Sequence, residues 1–382
     1  MDTQLKSRIL DEFQQVANTL VNPSVRSWKE QGGQVVGYLC TAVPAELITA
    51  AGLLPFRMRA TGSTSTELAD AYFININCSF PRHCFNQALR GEYDFLSGLV
   101  CVNSCDHVRR IYDNWKRQVK STQLIEMLSL PKKIGDGQVE WYRQELGNLK
   151  KALQNQFNVE ITDEFLWEAI RIHNETRRLQ RELYELRKRD NPPISGADAL
   201  AVTVAGTAMP RQQYNKMLKE LLQELTEAEG IADSRARLMI VGGILDNPAY
   251  VQSIEEQGAL VVTDSLCYGT RLCWVDVDET LSDPLLALAK YYVADRPSCP
   301  RMMGDQPRRS EFVRNMVRDF RVDGIIGERL AFCDMWMVEL FMLTSDLKED
   351  NIPFLKLERE YTMSGAGQTA TRVQAFLEAM GR

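Results

Sequence analysis

Nine cysteines punctuate the 382 residues, at positions 40, 78, 84, 101, 105, 267, 273, 299 and 333. The most informative stretch is Asp94-Phe-Leu-Ser-Gly-Leu-Val-Cys-Val-Asn-Ser-Cys-Asp106. It opens with a mostly apolar run, Leu96 to Val102, suited to a buried parallel strand. It breaks at Asn103-Ser104 and delivers Cys105 and Asp106. From His107 to Val119, apolar residues recur at Val108, Ile111, Tyr112, Trp115 and Val119, which is a helical face. The expectation is strand, turn, Cys, helix, with Asp106 capping the helix. A thiol at the carboxyl end of a parallel strand lies where open α/β sheets bind ligands. The helix N-terminus beside it favours the thiolate. Downstream, Val322 to Leu330 reads as a strand and its exit turn, followed by Cys333-Asp334 and a helix over Met335 to Leu347. A third strand-like piece, Tyr72-Phe-Ile-Asn-Ile-Asn77, ends in Cys78.

Three such thiols, Cys78, Cys105 and Cys333, could hold an iron–sulfur cluster. Three protein ligands leave one iron of a [4Fe–4S] cube open to water or a substrate oxygen. The competing reading for each is an ordinary buried thiol. Cys40, Cys267 and Cys299 also end strands or sit in turns. They are either buried thiols or a second set of three ligands, holding a second cube beside the first. No pair has C-x-x-C spacing, and there are only three His, at 83, 107 and 173. Zinc ribbons, thioredoxin-like redox motifs and a His-rich metal centre are therefore unsupported. Glu46, just after Pro44, is a candidate substrate-side acid or base; it could equally complement a helix dipole. Gly242-Gly243 could approach a phosphate or simply form a tight turn. Neither G-x-G-x-x-G nor G-x-x-x-x-G-K-[ST] is present, so any ATP-driven step needs another protein.

The elements that must position these residues are readable in outline. Leu5, Ile9, Phe13, Val16 and Leu20 form a helical stripe closed by Pro23. Gln34 to Cys40, Ala45 to Ala51 and Leu54 to Met58 read as strand, helix, strand. Leu96 to Val102 and Leu124 to Leu130 supply further strands, and a helix runs through Leu89. Residues 137 to 235 are rich in Lys, Arg, Glu and Gln with Leu at helical spacing. Phe165 to Arg189 reads as one long amphipathic helix, its arginines from Arg177 onward forming a solvated face. Strands at Leu238 to Ile244, Leu260 to Thr263, Val322 to Ile326 and Ile352 to Leu357 alternate with helices to the C-terminus. The expected fold is α/β: two doubly wound, Rossmann- or flavodoxin-like parallel-sheet domains, 1–136 and 236–382, joined by a helical domain, 137–235.

Composition narrows the class. Apolar residues make up 45% and charged residues 25%, both ordinary for a globular chain. Lys plus Arg is 45 against 51 for Asp plus Glu, a net charge of 45 − 51 = −6. That argues against nucleic acid as the partner. No apolar run approaches the roughly 20 residues of a membrane span. The N-terminus lacks an export signal, so a cytoplasmic protein without a disulfide framework is expected.

Several of these stretches, taken together, resemble one family. Gly37-Tyr-Leu-Cys-Thr-Ala-Val-Pro-Ala-Glu-Leu-Ile-Thr-Ala-Ala-Gly52, Asn103-Ser-Cys-Asp106, Asp264-Ser-Leu-Cys-Tyr-Gly-Thr-Arg271, Cys299-Pro-Arg-Met302, Phe332-Cys-Asp334 and Leu357-Glu-Arg359 look like motifs of the 2-hydroxyacyl-CoA dehydratase and benzoyl-CoA reductase family. The resemblance runs from about residue 30 to the C-terminus. It implies a [4Fe–4S] cluster on Cys78, Cys105 and Cys333 and an oxygen-sensitive enzyme. It implies a homologous second subunit, usually non-identical, and a separate ATP-dependent iron–sulfur activator. The implied substrate is an acyl-CoA or aromatic-CoA thioester. A branch of the family carries a double-cubane [8Fe-9S] cluster on six cysteines, typically in a homodimer. Cys40, Cys267 and Cys299 fall where the extra ligands are expected. A non-catalytic electron-relay subunit is the remaining alternative.

Overall fold

The structure is a computed structural model that describes residues 7–363 and 365–382. Leu5 lies outside the described residues. Among the described residues, eight strands form two four-stranded sheets, all parallel. The first contains β1 (Val35–Tyr38), β2 (Leu54–Arg57), β3 (Gly98–Val102) and β4 (Leu124–Leu128), in the order β2-β1-β3-β4. The second contains β5 (Arg237–Gly242), β6 (Leu260–Ser265), β7 (Gly324–Leu330) and β8 (Phe354–Arg359), in the order β6-β5-β7-β8. The two sheets thus repeat one winding, as the duplicated α/β pattern implies. In each, the chain steps outward once and then crosses to the other side of its first strand. That reversal makes a crevice at the carboxyl ends of β1 and β3, and another at β5 and β7.

The central strands are apolar throughout because both faces are covered. Leu99 and Cys101 of β3 join a core with the helices Arg8–Asn18 and Arg211–Glu227. Val100 and Val102 face the opposite core, with Tyr142, Leu146 and Ile170. In β5, Leu238 and Ile240 pack one way and Met239 and Val241 the other. Alternation on a two-sided buried strand produces an unbroken apolar run. The helices Asp136–Phe157, Asp163–Leu186, Gly196–Ala205 and Arg211–Glu227 share these cores with the sheets. No helix among the described residues is long and apolar enough to cross a membrane.

Four local expectations are corrected. The Tyr72 to Asn77 piece is a loop after a short turn at Ala69–Ala71, not a strand. Its alternation is genuine, but Ile74 and Ile76 point outward, 66% and 62% exposed. The first helix ends at Asn18, short of Leu20, and Pro23 opens a further helix, Pro23–Glu30, instead of closing the first; the Asn22 side chain caps it by accepting from the Val25 N–H. The strand β7 starts at Gly324 and runs through the expected exit turn to Leu330, paired with β8 to its end. Arg177 and Arg187 are buried, not part of a solvated face. Arg187 stacks on the Tyr184 ring and donates to the Val261 carbonyl at 2.8 Å, a partner on a strand far away in sequence.

The sheets are held together where their carboxyl ends meet. Tyr361, after β8, donates its hydroxyl to Asp246 at 2.6 Å and accepts from the Ala60 N–H at 2.9 Å. Its own N–H donates to Ser79 Oγ at 2.9 Å. Tyr268, after β6, donates to the Met58 carbonyl at 3.3 Å. Replacing Tyr361 with Phe strands the buried Asp246 carboxyl and the Ala60 N–H. The expected cost is about 2 kcal/mol. Urea unfolding should show a lower midpoint at unchanged slope, and an unaltered midpoint would contradict this account of the seam.

Candidate metal centre at the paired sheet ends

All six cysteines singled out in the sequence line one cleft of about 1340 Å3: Cys40, Cys78, Cys105, Cys267, Cys299 and Cys333. Cys40 leaves β1 and Cys105 follows β3, so both sit at the crevice of the first sheet. Cys333 follows β7 at the crevice of the second, and Cys267 follows β6. The other three cysteines, Cys84, Cys101 and Cys273, are core residues with no exposure.

Local backbone explains how the thiols enter the cleft. Cys78, Cys105 and Cys333 are each the residue immediately before a helix: Ser79–Leu89, Asp106–Gln118 and Asp334–Asp346. None of the three helices has a side-chain cap bond, so first-turn N–H groups are left for the sulfurs. The expectation that Asp106 caps its helix is therefore corrected. It occupies the first helical position and pairs at the surface with Arg109 at 3.0 Å. Cys40 has φ 80 and Phe332, just before Cys333, has φ 62. Both are left-handed positions that cost a side-chain-bearing residue of order 1 kcal/mol or more. Both lie where a strand must turn sharply to deliver a thiol.

Sequence reading missed the arginines behind the second three cysteines. Arg57, at the end of β2, donates to Cys267 Sγ at 3.0 Å and to the Cys267 carbonyl at 2.5 Å. It stacks on the Tyr268 ring with its guanidinium carbon 3.4 Å from the centroid. Cys267 in turn donates to the Gly243 carbonyl at 3.3 Å. Arg271 stacks on Trp336 and donates to the Gly242 carbonyl at 2.8 Å. The position of Arg57 at a strand terminus was the only hint available. The Gly242-Gly243 pair serves packing: a Cβ at Gly242 would meet the Glu328 carboxyl at 2.4 Å, and one at Gly243 would meet Trp336 at 2.9 Å.

Burial dominates the thiol chemistry. It pushes Cys78 well above the ordinary range, and the neighbouring Cys105 and Cys333 add to the effect. Cys105 is raised to about 11 by burial, then by Cys40, against the pull of the Val108 and His107 N–H groups. Cys333 is raised to about 12, chiefly by burial, with Cys105 and Cys299 contributing. Cys299 is raised by burial, opposed by Arg271 and reinforced by Cys40 and Cys267. Helix N-termini alone thus do not hold free thiolates here. These mutual effects link the thiols across the cleft: Cys78 with Cys105 and Cys333, Cys105 with Cys40, Cys333 with Cys299, and Cys299 with Cys40 and Cys267. The donor set fits an iron–sulfur cluster: metal can replace the protons of buried thiols that resist becoming bare anions. Among the described residues no three His, Cys, Asp or Glu converge tightly enough for a single ion. A cube spaces its ligand sulfurs more widely, roughly 6–7 Å apart.

Glu46 is placed elsewhere. It is fully buried, ion-paired with Arg177, and accepts from the Tyr292 hydroxyl at 2.8 Å. Burial opposes its ionisation, but Arg177, through its charge and its hydrogen bond, prevails and lowers it to about 2. It does not line the cysteine cleft. His107 does line the cleft, and its Nδ1 accepts from the Cys78 N–H at 3.4 Å. Burial lowers its pKa, leaving the ring neutral near pH 7.

The raised thiols carry a pH signature. Unfolded thiols begin to ionise near pH 8.5. Above that, the folded iron-free chain holds more protons than the unfolded one, so stability falls as pH rises. The contribution is complete below the unfolded value and is lost through the folded values of about 11 for Cys105 and about 12 for Cys333. Unfolding of iron-free protein from about pH 8 to 9.5 should show a downward slope of at most about 1.4 kcal/mol per pH unit for each such thiol. The Cys105→Ala/Cys333→Ala variant should show a shallower slope. Identical slopes would remove these thiols from the account.

The family model for the 2-hydroxyglutaryl-CoA dehydratase D-component matches residues 40–380. The chain is 27% identical over 342 residues to one of the subunits of benzoyl-CoA reductase from Thauera aromatica, covering 88% of both sequences. It is 28% identical over 384 residues to the putative dehydratase subunit YjiM of Escherichia coli, covering 97% of this chain and 98% of that one. It is 25% identical over 379 residues to the beta subunit of (R)-2-hydroxyglutaryl-CoA dehydratase from Acidaminococcus fermentans, covering 98% and 99%. With all six cleft cysteines inside the matched residues, the chain belongs to the 2-hydroxyglutaryl-CoA dehydratase D-component family.

Proposed function

We propose that this chain is an iron–sulfur subunit of a CoA-thioester reductase or dehydratase, and that its six cleft cysteines hold one double-cubane [8Fe-9S] assembly. The observation that carries the six-ligand reading is the convergence of all six thiols on one cleft from two separate sheets. When bound, such a cluster supplies single electrons at very low potential to a thioester carbonyl. Cys78, Cys105 and Cys333 present sulfur at three helix starts, whose N–H groups suit an anionic group. Arg57 and Arg271 place buried positive charge beside the Cys267 and Cys299 half. His107, accepting at Nδ1, carries its proton on Nε2, where it can serve a group bound in the cleft.

The open cleft favours an enzyme over a closed electron relay. Ile74, Ile76 and Met303 line it and are exposed. That apolar rim suits a homologous second subunit or the acyl part of a CoA thioester. The electron source is a separate ATP-dependent activator, in keeping with a chain that carries neither phosphate-loop motif. One observation favours a three-ligand [4Fe–4S] cube on Cys78, Cys105 and Cys333. The Cys267 sulfur already has partners in Arg57 and the Gly243 carbonyl.

Iron and sulfide analysis of anaerobically purified variants separates the readings. Cys105→Ala should retain essentially no cluster. Cys267→Ala should lose about half its iron, because one cube loses a ligand. Full iron in Cys267→Ala would establish three ligands, and full iron in Cys105→Ala would remove the cluster from the cleft.

A further inference from the structure

A smaller cavity of about 50 Å3, lined by none of the cysteines, lies among Tyr38, His173, Arg177, Arg211, Tyr291 and Arg296. Its charges do not balance. Arg177, Arg211 and Arg296 contribute three positive charges, and among the described residues Glu46, behind Arg177, is the one carboxylate paired with any of them. Three minus one leaves two positive charges in a buried space. Arg177 is fully committed: it pairs with Glu46, and donates to the Tyr291 hydroxyl at 3.1 Å and to Asn174 at 2.8 Å. Arg296 donates to the Thr41 carbonyl at 2.7 Å and stacks on Tyr292. His173 adds no charge, since burial and then Arg211 lower its pKa well below the ordinary value.

Arg211 is the exception. It opens the helix Arg211–Glu227, is 8% exposed, and its Nε is buried without a partner. Its guanidinium makes no hydrogen bond or ion pair among the described residues. Tyr38, 4% exposed, lines the same cavity, and its hydroxyl has no hydrogen-bond partner among the described residues. A buried guanidinium without a counter-charge is costly. Its planar fork matches a carboxylate-shaped anion, and a phenol can supply a third donor. The volume admits a few waters or one anion of three or four heavy atoms.

We propose that this cavity is a binding site for a small monovalent oxyanion of formate or bicarbonate size, held by Arg211 with Tyr38. Thr41 and Arg296 line both this cavity and a gap that reaches Cys40 and Cys299, so the anion sits directly behind the cysteine cleft. The assignment uses none of the cluster ligands and stands whether three or six cysteines bind iron.

Formate is the probe. The full-length protein is dialysed into gluconate, an anion too large for the cavity, and then equilibrated with [14C]formate at constant ionic strength near pH 7.5. Wild type should bind about one formate per chain, saturably. Arg211→Met should bind none, and Tyr38→Phe should bind several-fold more weakly. Formate should also raise the urea midpoint of wild type but not of Arg211→Met. In gluconate alone, Arg211→Met should be at least as stable as wild type, because it removes an uncompensated buried charge. No saturable binding by wild type, or wild-type binding in both variants, overturns the assignment.

Discussion

The contact between Arg57 and Cys267 is the constraint on which the site depends. Arg57 leaves the first sheet at the end of β2, and Cys267 follows β6 of the second. Two hydrogen bonds and the stacked Tyr268 ring fix the guanidinium between them. This requires the two sheets to turn their carboxyl ends toward each other. Parallel sheets place ligand-binding turns at those ends, and a crevice opens where the strand order reverses. Facing two such ends merges two crevices into one cleft. Tyr361 reinforces the arrangement from β8, reaching Asp246, Ala60 and Ser79 at once. Moving the sheets apart would strand a buried charge at one contact and a buried carboxyl at the other.

Electrostatics give the cleft a division of labour. The Cys78, Cys105 and Cys333 side offers partial positive charge from three helix starts. The Cys267 and Cys299 side offers full positive charge from Arg57 and Arg271. Neither overcomes the cost of a bare buried thiolate at Cys78, Cys105, Cys299 or Cys333, where burial is the largest effect. The free thiols therefore stay protonated near neutral pH, and a metal must displace protons to bind. The left-handed backbone at Cys40 and Phe332 indicates that delivering these sulfurs takes precedence over relaxed local geometry.

What was legible in the sequence follows from which interactions are local. Strands β3 and β5 could be read because burial on both faces leaves an unbroken apolar run. The Cys-Asp turns could be read because a helix begins immediately after each. The Tyr72 to Asn77 piece misled because alternation describes a strand wherever it occurs; pairing needs a sheet edge, and the segment instead turns Ile74 and Ile76 outward. Arg177 and Arg187 look like surface charges because their partners, Glu46 and the Val261 carbonyl, lie 131 and 74 residues away. Glu46 was noticed as the first-turn glutamate it is, but nothing near it in sequence reveals that Arg177 encloses it. Arg57 carried no local signal beyond its place at a strand end, since its partner is 210 residues distant.

The most direct test of six thiols acting as one metal centre is anomalous diffraction at the iron edge from crystals grown under strict anaerobiosis. The account predicts iron density in the cleft within bonding distance of Cys40, Cys78, Cys105, Cys267, Cys299 and Cys333. Iron contacting only Cys78, Cys105 and Cys333, or no iron in the cleft, would contradict it.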